Sequence, residues 1–326
     1  MSKDTTHAVR VRELALPIED AKEPDRPLRQ LTATWLGIPV NTLPPVKVVR
    51  RALDARHRAL RYVYTVEVDL EPKLAERLLR TGRIEPARRI ERYRWKVPKA
   101  PDGPRPVIVG AGPAGLFAAL ALAEAGWPPI VLERGRMVEE RARDVSKLYA
   151  RGVLDTDSNV CYGEGGAGAF SDGKLYTRVN DPRVERVMEM LVERGANPDI
   201  RIDNRPHLGT DKLLGLLKST RSYLEELGTT FRFSTTLETF EINDGKLAAV
   251  VLRDGELLDT RYLVLATGHS ARHVWRRLLD AGLQLEARPF AVGFRVEHPQ
   301  SLINRLRYGA MANRDILPAA DYRLTY

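Results

Sequence analysis

Apolar residues in the first hundred positions follow strand spacing in some stretches and helix spacing in others. "HAVRVRELAL" and "YVYTVEVDL" alternate apolar and polar residues like half-buried strands, whereas "PLRQLTATWLG" and "PKLAERLLRTG" show helical spacing and end in glycine. With "VKVVRRALDA" between them and "IERYRWKV" after them, the pattern predicts the order βαββαβ of a ferredoxin-like α+β domain. "VKVVRRALDA" could equally form a helix.

A different pattern begins after "KVPKAPDGPRP", residues 96–106, whose four prolines suit a linker and place a domain break near residue 104. "RPVIVG", "PAGLFAALALAEAG" and "PIVLERG" then predict a strand, a helix and a second strand, which together form a βαβ unit. "TDKLLGLLKSTRSYLEELG" predicts a helix capped by Thr or Asp. Later strands are predicted in "TTFRFSTTLETFEIN", "LAAVVLRDG" and "ELLDTRYLVLATG", with turns at Asn243-Asp244-Gly245 and Asp254-Gly255.

Composition restricts the class of protein. The 326 residues are 43% hydrophobic and 29% charged, as in a globular protein, and no apolar run approaches the roughly 18 residues of a membrane span. The N-terminus lacks the apolar segment of a signal peptide, so we expect a cytoplasmic protein without membrane contact. A single cysteine, Cys161, excludes an internal disulfide and a C-x-x-C redox pair.

The glycine-rich turn after the "VIV" strand carries the clearest chemistry. Gly110, Gly112 and Gly115 satisfy G-x-G-x-x-G, in which the glycines allow a sharp turn, close approach of a pyrophosphate, and tight packing of helix on strand. The helix N-terminus then directs free N–H groups at the phosphates. Glu133 follows Gly115 by 18 residues, where its carboxylate can accept both ribose hydroxyls and would repel a 2′-phosphate. Predicted contacts here also include Pro113, Ala114 and Arg134.

Three further features favour FAD over NAD as the dinucleotide. "LVLATG", residues 263–268, ends in Ala266, Thr267 and Gly268 and resembles the strand that returns to the dinucleotide domain in two-domain flavoproteins. The strand block from 229 to 259 stands where such proteins insert a small sheet. "YGEGGAGAFSDGKLYTR", residues 162–178, can expose N–H groups to an anion or lie against a planar ring. In this last segment the predicted cofactor contacts are Gly165, Gly166, Gly168, Ser171, Gly173 and Lys174.

These stretches, with "LATGHSARHVW" and "FAVGFRVEHPQSLINRLRYG", resemble the uncharacterised FAD-dependent dehydrogenases of bacteria and plastids, within the glutathione-reductase-like flavoproteins. The resemblance covers essentially the whole chain. It implies bound FAD, an N-terminal α/β extension and an oxidoreductase whose substrate is not established. Family members continue beyond "ILPAADYRLTY" to a segment that closes over the flavin, so we expect this chain to be a fragment.

Other candidates near the cofactor have simpler interpretations. His269 and His273 are four residues apart on a predicted helix, but no third ligand follows with suitable spacing, so no metal is expected. Contact of His269 or Ser270 with the cofactor is an alternative. Cys161 could face the isoalloxazine ring, but we expect it to be buried as a small apolar residue.

Positive charge is concentrated before the linker. Residues 1–106 carry 23 Lys and Arg against 14 Asp and Glu, whereas residues 107–326 carry 29 of each. "VVRRALDARHRALRYVY" and "RRIERYRWK" interleave Arg with aromatic residues, which is compatible with RNA, with an acidic protein, or simply with a solvated face.

The sequence thus predicts a basic α+β domain over residues 1–103, a Rossmann-type FAD-binding domain with an inserted small sheet over 104–283, and the beginning of a substrate domain over 284–326. The expected activity is an FAD-dependent oxidoreductase that passes hydride between an unidentified small substrate, or NAD(P)H as a transient donor, and the flavin. Arg288 and Arg295 are candidates for binding an acidic substrate. The alternative is a flavoprotein whose basic N-terminal domain carries the function by binding nucleic acid or an acidic protein.

Overall fold

A computed structural model gives the fold and describes residues 7–322 except 57–58, 88–92, 94, 96–98, 172, 176, 178, 291 and 294–295. The chain forms two compact units. The first comprises Met1–Glu91, Arg201–Pro206 and Pro289–Tyr326, and the second comprises Arg92–Ile200 and His207–Arg288. The domain boundaries predicted after residues 103 and 283 stay predictions.

The N-terminal part of the first unit has the element order strand, helix, strand, strand, helix, strand. Its elements are β1 (His7–Pro17), α1 (Asp25–Leu36), β2 (Lys47–Asp54), β3 (Arg61–Leu70), α2 (Pro72–Arg80) and β4 (Glu85–Pro86). The sheet order is β2-β3-β1-β4, and every neighbouring pair is antiparallel. "VKVVRRALDA" therefore contributes a strand and not a helix. The final strand predicted at "IERYRWKV" lies mostly outside the described residues.

Alternation in the two central strands creates the core of this unit. Val9 and Val11 of β1 and Val66 and Val68 of β3 are at most 2% exposed and pack with the apolar residues of α1 and α2. A helix, α8 (Gln300–Tyr308), belongs to the same unit. A separate cluster in this unit joins Ile18, Leu60, Tyr308 and Ala320.

The second unit contains a four-stranded parallel sheet in the order β11 (Leu263–Leu265), β5 (Val107–Val109), β6 (Ile130–Leu132) and β7 (Thr230–Arg232). The chain is therefore a mixed α/β protein with a parallel sheet, as predicted. The strands and helices of this layer are β5 (Val107–Val109), α3 (Pro113–Glu124), β6 (Ile130–Leu132), α4 (Val138–Arg151), α5 (Pro182–Glu193), α6 (Thr210–Glu226), β7 (Thr230–Arg232), β11 (Leu263–Leu265) and α7 (Arg272–Asp280). Gly209 occupies the N-cap of α6, so the prediction of a Thr or Asp cap is wrong.

A three-stranded antiparallel sheet lies between β7 and β11 in sequence. Its strands are β8 (Leu237–Asn243), β9 (Lys246–Leu252) and β10 (Leu257–Asp259), in the order β10-β9-β8. The predicted turn is present between β8 and β9, where Asp244 and Gly245 have φ of 51° and 72°. Two positive φ values in succession match the hairpin turn whose twist suits antiparallel strands.

The parallel sheet is covered on both faces. Ile108 and Val131 pack with the apolar residues of α3, while Val107, Val109 and Leu132 pack with residues of β8 and β9. Strand residues covered on both sides read as continuous apolar runs, which explains the uninterrupted "VIV" and "IVL". Among the described residues, no helix has both the length and the apolarity to cross a bilayer.

Candidate functional site

The glycines between β5 and α3 have different structural roles. Gly110 has a φ of 108°, and a Cβ there would collide with the carbonyl oxygen of Ala266. A Cβ on Gly115 would collide with the carbonyl oxygen of Gly110, so Gly115 allows α3 to pack against the strand, as predicted. Gly112 is extended, with φ of −76° and ψ of −179°, and a Cβ there would lie 3.7 Å from the Cα of Gly166. Gly112 is therefore not required by the protein's own packing.

A cavity of about 510 Å³ lies beside this turn, entirely within the second unit. Val109, Leu132 and Leu265, the last residues of β5, β6 and β11, line it. Ligands of open parallel sheets bind beyond the carboxyl ends of the strands, which is where this cavity opens. The predicted cofactor contacts that line it are Gly110, Gly112, Pro113, Ala114, Glu133, Arg134, Gly166, Gly168, Ala266, Thr267 and Gly268.

Five predicted contacts are not among the lining residues: Gly115, Gly165, Ser171, Gly173 and Lys174. The amide of Gly165 donates to the carbonyl oxygen of Ala111 at 2.8 Å, which ties the glycine-rich segment to the first turn. Gly173 accepts a backbone hydrogen bond from Leu208, and Lys174 forms a β-bridge with His207. These residues support neighbouring backbone in this structure, and a cofactor contact by them stays a prediction.

Glu133 lines the cavity but is already heavily hydrogen-bonded. It is 6% exposed, its Oε2 accepts from the amide of Ala111 at 2.8 Å, and its Oε1 accepts from the amides of Gly135 and Gly163, each at 2.9 Å. A carboxylate has about four acceptor positions, so about one remains. Acceptance of ribose hydroxyls by Glu133 stays a prediction, with about one acceptor position left for them.

Arg134 contacts two other residues that line the cavity, His273 and Tyr162. Its Nη2 lies 2.8 Å from Nε2 of His273, and its guanidinium stands over the ring of Tyr162 at 4.4 Å from the centroid. Burial, followed by the charges of Arg134 and Arg253, lowers the pKa of His273. A neutral imidazole can accept a hydrogen bond from Arg134. The guanidinium of Arg134 is then the one positive charge of this pair.

Several lining residues were not predicted as contacts. Thr235 and Thr236 follow β7, and Tyr162 and Trp275 also line the cavity. The two threonines could have been found from topology, since β7 is parallel to β6 and its carboxyl end lies at the same edge of the sheet. The positions of Tyr162 and Trp275 depend on loop and helix packing that periodicity does not encode.

His269, Ser270 and Cys161 also line the cavity. The Oγ of Ser270 lies 3.3 Å from Nε2 of His269. Cys161 is exposed, so the expectation that it is buried as an apolar residue is wrong. Across the part of the chain that the structure describes, no group of three or more His, Cys, Asp and Glu is arranged to hold a metal.

Several arginines of the first unit form ion pairs. Arg56 and Arg61 both bind Asp54, and the hydrogen bonds from Arg56 hold the pKa of Asp54 well below its usual value. Arg51 binds Asp203 at 2.7 Å. Tyr64 of the central strand β3 is 1% exposed, whereas sheet surfaces that bind RNA present exposed aromatics for base stacking. RNA or an acidic protein as partner stays a prediction, since most of "RRIERYRWK" lies outside the described residues.

The two arginines suggested for an acidic substrate remain unassigned. Arg288 is exposed and forms an ion pair with Glu286 at 2.8 Å, and Arg295 lies outside the described residues.

Two family models match parts of the chain. Residues 289–326 match the family described as "FAD-dependent protein, C-terminal domain-like", and residues 8–69 match a "Domain of unknown function (DUF8436)". An uncharacterized protein of Clostridium beijerinckii is 38% identical over 323 residues, which cover 98% of this chain and 60% of that protein. The chain thus spans about 60% of the length of the curated relative that it matches.

Solved structures show a weaker likeness. THI4 of Thermovibrio ammonificans is 20% identical, with 56% of this chain and 64% of that chain covered and a TM-score of 0.39. The 3-ketosteroid-delta4-(5alpha)-dehydrogenase of Rhodococcus jostii RHA1 is 19% identical, with 55% and 49% covered and a TM-score of 0.33. These TM-scores are too low for the likeness to bear on function.

Proposed function

We propose that the chain belongs to an FAD-dependent oxidoreductase and that the cavity beside Gly112 holds the dinucleotide. One observation supports the proposal most strongly. The ends of three parallel strands, the G-x-G-x-x-G turn and the N-terminus of α3 all line one cavity of about 510 Å³. The match of residues 289–326 to an FAD-dependent family supports FAD as the dinucleotide.

The residues around the turn fit a diphosphate. Pro113 begins α3, and the first N–H groups of a helix have no partner within the helix. These donors and the positive end of the helix dipole favour an anion. Gly112 leaves the approach open, because the backbone of Gly166 is the nearest structure to its missing side chain, at 3.7 Å. The diphosphate would therefore lie against Gly112 and the start of α3.

The opposite end of the nucleotide would lie along Glu133 and Arg134. The acceptor position left on Glu133 suits one ribose hydroxyl, and Tyr162, Arg134 and His273 form the wall beyond it. Cys161 also lines the cavity, two residues before Gly163.

Bound FAD would supply hydride acceptance and donation, with NAD(P)H as a candidate donor and an unidentified small molecule as substrate. The protein's own residues bind and orient the dinucleotide. Anaerobic addition of NADH or NADPH to the FAD complex should bleach the oxidised flavin spectrum, and a complex that no hydride donor reduces would contradict the oxidoreductase assignment.

Binding can be tested at Gly112 with a matched control. Gly112→Ala is compatible with its backbone angles and packing, but its methyl group would occupy the approach of the diphosphate. We expect FAD to bind Gly112→Ala about tenfold or more weakly, a difference of about 1.4 kcal/mol or more. Gly215→Ala in α6 is the control, since nothing lies within 4 Å of the added Cβ.

Titration of FAD fluorescence or visible absorption measures these affinities. Wild type and Gly215→Ala should bind FAD equally, and Gly112→Ala should keep its folded stability. Equal FAD affinity of wild type and both variants would mean that the diphosphate binds elsewhere.

A further inference from the structure

Arg141 of α4 is the largest fully buried side chain of the described residues and takes no part in lining the cavity. The hydrogen bonds that its side chain donates all reach one segment, residues 159–170, here called the glycine-rich loop. Its Nε donates to the carbonyl oxygen of Asn159 at 2.9 Å, and its Nη1 donates to those of Glu164 at 2.6 Å and Gly163 at 3.3 Å. Its guanidinium also stands 4.9 Å from the ring centroid of Phe170.

Burial of a guanidinium is costly unless hydrogen bonds and opposite charge compensate it. Burial lowers the pKa of Arg141 to about 10, against the opposing influence of Glu133 and other acidic groups. The side chain is thus still a cation at neutral pH. An uncharged side chain of similar size would fill this volume without that cost, so packing alone does not account for an arginine here.

Gly163 links this cation to the cavity. Its carbonyl oxygen accepts from Arg141, while its amide donates to Oε1 of Glu133 at 2.9 Å. A Cβ on Gly163 would collide with the side chain of Arg141, so the close approach requires glycine. Gly163 is therefore held from both sides, by a buried cation and by the carboxylate that lines the cavity.

We propose that Arg141 is a positioning residue for the dinucleotide site, which fixes the glycine-rich loop so that Gly163 orients Glu133 toward the cavity. The inference rests on the proposed function, because it gives Glu133 a nucleotide to bind. Arg141 contacts the loop through its carbonyl groups and does not line the cavity. Without it, the carbonyl groups of the loop lose their donors, and the amide of Gly163 is no longer held against Glu133.

The test compares wild type with Arg141→Ala, Arg141→Lys and the control Arg186→Ala. Arg186 is another buried arginine of the second unit, 6% exposed, but its ion pairs are with Glu124, Glu189 and Glu193 and it does not line the cavity. Amide hydrogen exchange is measured without FAD across residues 159–166, with β5 and α3 as internal references. FAD affinity is measured on the same proteins.

We expect exchange at residues 159–166 to become about tenfold faster in both Arg141 variants, and FAD affinity to fall about tenfold, with β5 and α3 unchanged. Ethylguanidinium should restore FAD binding to Arg141→Ala more than the same concentration of sodium chloride, a rescue that a general loss of stability would not show. If Arg141→Ala does not fold, Arg141→Lys, which keeps the charge but loses the forked donors, decides the question.

Unchanged loop exchange in a folded Arg141 variant would overturn the positioning role. The same conclusion would follow if Arg186→Ala accelerated exchange in the loop and weakened FAD binding to the same extent. Failure of wild type to bind FAD would instead refute the proposed function. The exchange measurement, which needs no ligand, would then still decide whether Arg141 holds the loop.

Discussion

The glycines of the G-x-G-x-x-G turn differ in how closely the protein's own backbone approaches them. Gly110 and Gly115 are surrounded by the protein's own backbone, whereas Gly112 faces the cavity and tolerates a Cβ. The sequence motif alone predicts the roles of Gly110 and Gly115, because both follow from how closely other backbone approaches. The phosphate contact at Gly112 stays a prediction. What the motif does not predict is the hydrogen bonding of Glu133, whose partners Gly135 and Gly163 lie in other loops.

Gly115→Ala should destabilise the second unit without directly obstructing the cavity. The added Cβ collides with the carbonyl oxygen of Gly110 inside the packed contact of α3 with β5. Overpacking of this kind typically costs about 1–3 kcal/mol of unfolding free energy, or more where backbone must move. Urea unfolding measures the loss, with Gly215→Ala as a control that we expect to gain about 0.5–1 kcal/mol. Equal stability of Gly115→Ala and wild type would show that the contact is not closely packed.

Elements with a clean apolar pattern were predictable, and those with buried charge were not. α3 and the strands around it carry continuous apolar runs, so their positions follow from the sequence. No helix was predicted at α4 or α5, and both bury polar residues: Arg141 and Asp144 in α4, and Arg186 in α5. Because a buried arginine counts as a polar position, it breaks the helical period on which sequence prediction depends. Of these buried residues, Arg141 is the one that donates to the glycine-rich loop beside the site.

Helix α5 should show a pH dependence that originates at its first turn. Asp181 is its N-cap and accepts hydrogen bonds from the side chain and amide of Arg183, which lower the pKa of the carboxyl from 3.8 to about 2. A lowered pKa contributes stability above the unfolded value, and that stability is lost as the pH falls toward about 2.

The melting temperature of wild type should therefore fall more steeply than that of Asp181→Asn between about pH 4 and pH 2, because asparagine can cap the helix without titrating. Parallel curves over this range would mean that Asp181 does not contribute through its charge.

At the scale of the whole molecule, the first unit is assembled from distant parts of the chain. Tyr62 of β3 donates to the carbonyl oxygen of Ile316 at 3.0 Å, and Tyr308 packs with Ile18, Leu60 and Ala320. The apolar pattern of residues 284–326 predicts the beginning of a substrate domain and does not indicate these contacts. Periodicity reports local structure, whereas contacts between residues this far apart in sequence depend on complementary surfaces that only the folded chain reveals.

Removal of the Tyr308 ring should destabilise the first unit. Tyr308→Ala is expected to cost about 3 kcal/mol, as for other large-to-small changes in a packed cluster. Tyr308→Phe keeps the ring and loses only the hydrogen bond to the carbonyl oxygen of Pro318, which corresponds to about 1 kcal/mol. Denaturant unfolding, monitored by hydrogen exchange of the amides in β1 and β3, measures both changes in stability. If the two variants lose the same stability, the ring does not contribute to the cluster.

A dinucleotide in the cavity lined by Gly112, Glu133 and Ala266 can be observed directly. The most direct test is a crystal structure of the protein grown with saturating FAD. We expect a diphosphate against Gly112 and the N-terminus of α3, with an adenosine ribose within hydrogen-bond distance of Glu133. An empty cavity at saturating FAD, or a nucleotide bound away from this turn, would contradict it.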